Sequence, residues 1–265
     1  MVGFHVMAGA EARQPDVEVR RIGFGDVADA LRLGFEDFWE KPSHYVFLCL
    51  IYPIAGVVLG TWAAGANALP LIFPLVSGFA LLGPLAALPL YEISRRREAG
   101  LDTSWRNALA LRRSPAIPSI LLVGAMLLAI FLVWMLVAQA LYISLFGVEP
   151  PASAGAFLAE TLTTAHGWTM IVAGNAIGLL LAIIVLSTTV VAFPLLLDRD
   201  VGAVAAIQTS ARAVIANPLP MAAWGLIVAA AVVAGSLPLL AGLAVVMPIL
   251  GHATWHLYRK VVDVE

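Results

Sequence analysis

Six stretches of this chain run for about 20 residues almost without charge, enough for each to cross a bilayer core as a helix. They are roughly 44–64, 69–93, 117–141, 168–194, 219–237 and 239–258. Nothing else in the sequence limits the fold so strongly. A soluble domain of this size cannot cover so much apolar surface. The totals agree: 61% of residues are hydrophobic, 12% are charged, and the mean hydropathy is +0.94. Soluble domains sit nearer about 45–50% apolar and about 25% charged. The balance excludes an ordinary soluble enzyme and a disordered chain. With a net charge of −2 there is also no basic surface for nucleic acid.

The expected fold is all-α, a polytopic transmembrane helical bundle of six spans. The stretch 219–258 is long enough for two spans, and Gly235, Ser236 and Pro238 supply a turn. The single cysteine, Cys49, permits no intrachain disulfide. The first ten residues lack a basic region followed by a long apolar one, so no cleaved signal peptide is expected. The domain reading is a flexible segment 1–23, one membrane domain 24–260 and a short tail 261–265.

Basic residues orient the bundle. All 15 Lys and Arg fall in the N-terminal segment, in the loops after the second and fourth spans, and in the tail. The remaining loops contain none. Positive residues concentrate on the cytoplasmic side, so both termini are expected there and the number of spans is expected to be even. Trp39 and Trp105 fall near the inner interface, and Trp62 and Trp168 near the outer one. Trp134 lies nearer mid-span and reads as a packing residue.

Three stretches on that inner side look alike: Gly25 to Pro42, Gly100 to Pro115 and Gly202 to Pro218. Each begins at Gly, has room for about four helical turns and stops at Pro before a span. In the first, Val27, Leu31, Phe35 and Phe38 form an apolar stripe at helical spacing. The acids Asp26, Asp29, Glu36, Asp37 and Glu40 then read as its solvated face. Each stretch is expected to be an amphipathic helix in the interface plane, ended by proline. Chance recurrence and a three-fold parallel repeat are both open. The outer loop 148–166 contains one short candidate helix, AGAFLAETLTTAH.

No HExxH, CxxC, Walker or GxSxG signature is present, so the usual marks of an enzyme are missing. His252 and His256 are four apart and project from one helix face, a spacing that can hold a metal or haem, with Glu92 as a conceivable third ligand. The alternative is hydrogen bonding at the inner interface. Glu92 precedes Arg95 and Arg96 by three and four residues, which suits a local ion pair or an acceptor at a pore mouth. Arg95, Arg96, Arg97, Arg112 and Arg113 form a basic cluster that sets orientation and can attract anionic lipid. Asn175 lies within the fourth span and needs a partner there. Gly174 and Gly178 flank it in a GxxxG pattern suited to close helix packing. Pro53, Pro74, Pro84, Pro89, Pro194 and Pro248 are expected to kink spans.

Two stretches carry a family resemblance: GFALLGPLAALPLYEISRRREAG, from Gly78 to Gly100, and HATWHLYRKVVD, from His252 to Asp263. Both resemble a bacterial family of predicted integral membrane proteins of unknown function. The resemblance implies an inner-membrane location, and brings no activity, cofactor or catalytic residue. Such proteins are sometimes labelled cytochrome c oxidase subunit I. The five histidines here, of which only His252 and His256 lie close in sequence, are too few for the six metal ligands of that oxidase core.

Three functional readings follow. The favoured one is a non-enzymatic accessory or scaffold component, binding other membrane proteins or itself within the lipid bilayer. The second is a small-solute carrier or channel using Asn175 and Glu92. The third is a haem- or metal-binding subunit through His252 and His256.

Overall fold

A computed structural model of the chain describes residues 17–40, 54, 56–58, 61, 69–104, 114–238 and 240–264. Most of the first expected span, the centre of the second interfacial stretch, and Arg112 and Arg113 lie outside the described residues.

The helices among the described residues are α1 (Phe24–Glu40), α2 (Ile72–Leu81), α3 (Gly83–Ala86), α4 (Leu88–Glu98), α5 (Ile117–Phe146) and α6 (Ala154–Thr163). They continue with α7 (Ala165–Thr189), α8 (Ala192–Asp198), α9 (Ala203–Ala216), α10 (Pro218–Ser236) and α11 (Leu243–Val261). Two short strands complete the set, β1 (Val17–Val19) and β2 (Val262–Val264), paired antiparallel with Val17 opposite Val264.

Among the described residues three helical runs are long and apolar enough to cross a membrane: Ile117–Phe146, Ala165–Asp198 and Pro218–Ser236. None of the three holds an Asp, Glu, Lys or Arg before Asp198. Their backbones are satisfied by internal hydrogen bonds, the requirement for a segment surrounded by lipid. Leu136 on α5, Val172 on α7 and Leu226 on α10 point outward. Two other expected spans take a different form. The region expected at 69–93 is a bent helix in three pieces, α2 to α4, with breaks at Leu82 and Ala87 beside Pro84 and Pro89. The region expected at 239–258 is α11, apolar to Gly251 and polar beyond it. The division of 219–258 does occur, with a tight turn between Ser236 and Leu243. The backbones approach so closely there that a Cβ on Gly242 would lie 2.7 Å from the Gly235 carbonyl oxygen.

The α7–α8 run bends at Val190 and Val191, four residues or fewer before Pro194. The Ser210 hydroxyl accepts from the Val191 N–H at 3.2 Å. This bend turns α8 into the interior, where Phe193, Leu195 and Leu196 are fully buried. Trp224, Trp255, Tyr258 and Ile93 join them. The main core therefore sits at the end of the molecule that carries β1 and β2, while the long helices expose much of their apolar surface.

At that end α1 packs on α11 and α10, and α4 packs on α11 and α8. The last residues of the N-terminal segment, expected to lack fixed structure, are tied down. The Arg20 N–H donates to the Val261 carbonyl at 2.7 Å, extending the β1–β2 pairing. Asn217, the residue between α9 and α10, accepts from the Ile22 N–H at 2.7 Å and donates to the Arg20 carbonyl at 3.0 Å.

Of the three similar stretches, the first and third are helices, α1 and α9, each ending shortly before proline. Their starts differ. Gly202 has a positive φ of 80° before α9, whereas Gly25 lies inside α1. The loop 148–166 holds the expected short helix as α6, capped by the Ser153 hydroxyl on the Ala156 N–H.

Candidate functional site

The polar residues of this end converge where α1, α4 and α11 meet. Two close contacts at glycine create the junction. A Cβ on Gly34 of α1 would lie 2.5 Å from the backbone nitrogen of Ala253 on α11. A Cβ on Gly251 would lie 2.6 Å from Leu90 Cδ1 on α4. Only glycine lets the helices come this near. The face of α1 turned to α11 is Val27, Ala30, Gly34, Asp37 and Phe38, one helical stripe rotated from the expected one. Phe35 and Trp39 are exposed instead and stack on each other.

Asp37 is the centre of the junction. Read from sequence as part of a solvated face, it is 6% exposed. This is a correction, and its cause is the close contact at Gly34, which presses that side of α1 onto α11. The Ser94 hydroxyl donates to Asp37 Oδ2 at 2.6 Å. His256 Nε2 lies 3.0 Å from the same oxygen, and Arg97 Nη1 donates to Oδ1 at 2.8 Å. Burial alone would raise the Asp37 pKa. Hydrogen bonds from His256 and Ser94 outweigh burial and hold the carboxyl well below its ordinary 3.8.

Ser94 Oγ is also 2.7 Å from His252 Nδ1. A hydroxyl has one proton, and Ser94 gives it to Asp37. His252 must therefore carry its hydrogen on Nδ1 and donate to Ser94. The chain Asp37–Ser94–His252 places serine in the middle. In a hydrolytic triad histidine is the middle member, because it must take the serine proton. This serine, 1% exposed, is a bridge and not a nucleophile.

Further pairs surround the centre. Arg97 also reaches Glu40 at 2.6 Å, and Lys260 reaches Asp29 at 2.6 Å. Lys260 and Arg32 hold the Asp29 carboxyl down at about 2. Arg259 and the Trp255 indole both donate to Glu98, and the Tyr258 hydroxyl donates to Asp198 at 2.8 Å. The last turns of α11 thus bind α1, α4 and α8 at once.

The structure brings His252 and His256 to one place, as their spacing predicts, but with Asp37, Ser94 and Arg97 and not with Glu92. Glu92 is buried in a two-pronged ion pair with Arg95, at 2.7 and 2.9 Å, and lies 3.6 Å from Arg96. Arg96 also donates to the Asp102 carbonyl. Asn175 is exposed on α7 and donates to the Ile171 carbonyl of its own helix at 2.8 Å. Gly174 and Gly178 face Leu141 and Trp134 of α5 at ordinary contact distance. Trp134 is buried and donates to the Pro74 carbonyl, as a packing residue would.

Among the described residues no three His, Cys, Asp or Glu groups are disposed to hold a metal ion. His252 Nδ1 and His256 Nε2 are both engaged within the protein, and the Arg97 guanidinium repels a further cation. Sequence reasoning missed Asp37, Ser94, Glu98 and Asp198. The one local signal was the pair of small residues Ala30 and Gly34 beside Asp37, a spacing that marks close helix contact.

Charge-free long helices, outward apolar side chains and a polar layer confined to one end define an integral membrane protein of helical class. The family comparison agrees: residues 72–198 match the family model described as a predicted integral membrane protein, domain of unknown function 2189. That segment runs from α2 through α8 and includes Ser94 and Arg97, but neither Asp37 nor the two histidines. No curated protein and no solved structure matches the chain.

Proposed function

We propose that the chain is a non-enzymatic accessory component that binds other membrane proteins within the bilayer. The observation that carries this reading is how the polar groups are used. Asp37, Ser94, Arg97, His252 and His256 satisfy one another in a buried junction, with no reacting group held open to a substrate. The three long helices meanwhile present charge-free apolar faces suited to lipid or to neighbouring helices. The two residues a carrier would use are apart in role: Asn175 bonds its own helix and Glu92 is closed by Arg95.

The location that goes with this reading is a bacterial inner membrane, with both termini cytoplasmic and six crossings. Support comes from the β1–β2 pairing, which holds Val17 and Val264 at one end and so calls for an even number of crossings. It comes also from the arginines and Lys260 at that same end.

Affinity purification from native membranes in mild detergent, followed by mass spectrometry, tests the proposal. A stoichiometric membrane-protein partner is the expected result. Partner-free protein that conducts solute in liposomes would replace this reading with a carrier.

A further inference from the structure

We propose that Arg21 and Arg212, with Phe24, Ile215 and Leu219, form a docking patch for the anionic phospholipid headgroups of the leaflet at the end carrying both termini. The inference rests on membrane embedding and not on the accessory role.

Of the basic cluster that can attract anionic lipid, Arg95, Arg96 and Arg97 are half-buried and engaged within the protein. Arg95 is bound by Glu92, Arg97 by Asp37 and Glu40, and Arg96 by the Asp102 carbonyl. Arg20, Arg32, Arg259 and Lys260 also hold carboxylates. Among the described residues, Arg21, Arg199 and Arg212 are the basic side chains with no carboxylate partner. Two of these three are sequence neighbours of residues that one side chain holds. The Asn217 side chain binds the backbone of Arg20 and Ile22, on either side of Arg21, and the carbonyl of Ala213, next to Arg212. Arg21 and Arg212 are both exposed.

Exposed apolar side chains lie within three residues of Arg21 and Asn217 in the chain. Phe24 is 61% exposed, Ile215 78% and Leu219 68%. Asn217 is the residue from which α10 enters the membrane, and Leu219 continues into its lipid-facing side toward Leu226. Guanidinium groups beside bulky apolar side chains at a helix entry match a phospholipid, phosphate above and acyl chain below. An anionic headgroup supplies the charge that these arginines lack.

The test uses the full chain in detergent, titrated with phosphatidylglycerol, phosphatidylcholine or inorganic phosphate. Native mass spectrometry reads lipid retention and thermal unfolding reads stabilisation. The expected result is retention and stabilisation by phosphatidylglycerol alone. R21Q/R212Q should bind it about 25-fold more weakly, about fivefold per arginine, at roughly 1 kcal/mol each. The single variant R212Q should lose about fivefold, and R21K/R212K should keep most of the affinity. In phosphatidylcholine R21K/R212K should unfold as the parent does, and the two glutamine variants should differ from it only by the loss of the Arg212 hydrogen bond to the Thr209 hydroxyl, equally in both. Equal binding of phosphatidylcholine would overturn the proposal. So would the same stabilisation by inorganic phosphate, unchanged affinity in R21Q/R212Q and R212Q, or a loss that appears only in R199Q.

Discussion

The two halves of α11 put the contrast within this protein into one helix. From Leu243 to Gly251 it is an apolar segment like the long helices α5, α7 and α10, with Val245 exposed. From His252 to Val261 it carries its polar groups, which reach α1, α4 and α8. In the first region side chains need only be apolar, whether they meet lipid, as Val245 can, or protein, as Leu243 and Leu250 do. In the second, each polar or charged group is matched to a named neighbour. Substitutions should therefore be costly at the junction and mild along the long helices.

The sharpest way to break that contrast is Asp37→Ala. It leaves Arg97, His256 and Ser94 facing an empty position. Losing one partner of a buried pair costs about 3 kcal/mol at the lower end, where we place it because Arg97 keeps Glu40. Thermal unfolding in detergent measures this. A loss no larger than that of an exposed substitution would show that the junction is not a stabilising centre. The same carboxyl governs acid stability. Its folded-state pKa is depressed below 3.8, so its contribution is present at neutral pH and is lost as pH falls below about 4. Asp37→Asn should flatten the acid limb of the stability profile, and an unchanged limb would assign acid sensitivity elsewhere.

Two glycines make the next comparison. Gly34→Ala forces a Cβ to within 2.6 Å of the Ala253 Cβ, and should cost about 1–3 kcal/mol. Gly174→Ala places its Cβ 3.7 Å from Leu141, where there is room, and should be neutral or stabilising by up to about 1 kcal/mol. Equal effects of the two would erase the distinction between the regions.

Asn217→Ala should cost about 1–2 kcal/mol, because the Ile22 N–H loses its acceptor. Hydrogen exchange should then accelerate at Ile22 while α5 and α7 stay protected. Asn175→Leu should have the smallest effect, within about 0.5 kcal/mol, since its amide bonds only its own exposed helix. A marked loss of a transported solute in that variant would restore the carrier reading.

The long helices were legible because their signal is local. Thirty residues from Ile117 to Phe146 without a charge can satisfy their backbone in lipid only as a helix, whatever surrounds them. The break between α10 and α11 was legible for the same reason, from Gly235 and Pro238. His252 and His256 were also readable as sharing a face, since helical spacing alone places them together.

What they face was not readable. Asp37 lies in a run of acids, and its burial follows from a close contact between residues 34 and 253 that no local pattern encodes. Arg97 likewise had no readable partner, because Asp37 and Glu40 are more than fifty positions away in sequence, whereas the pairing of Arg95 with Glu92 is local. Helical periodicity and lipid chemistry thus determined the membrane class and the long helices from the sequence by itself. Which charges are buried and paired, and which remain open to a headgroup, was decided only by the tertiary structure. Pairing depends on distance in space, and the sequence specifies that distance only through the whole packing.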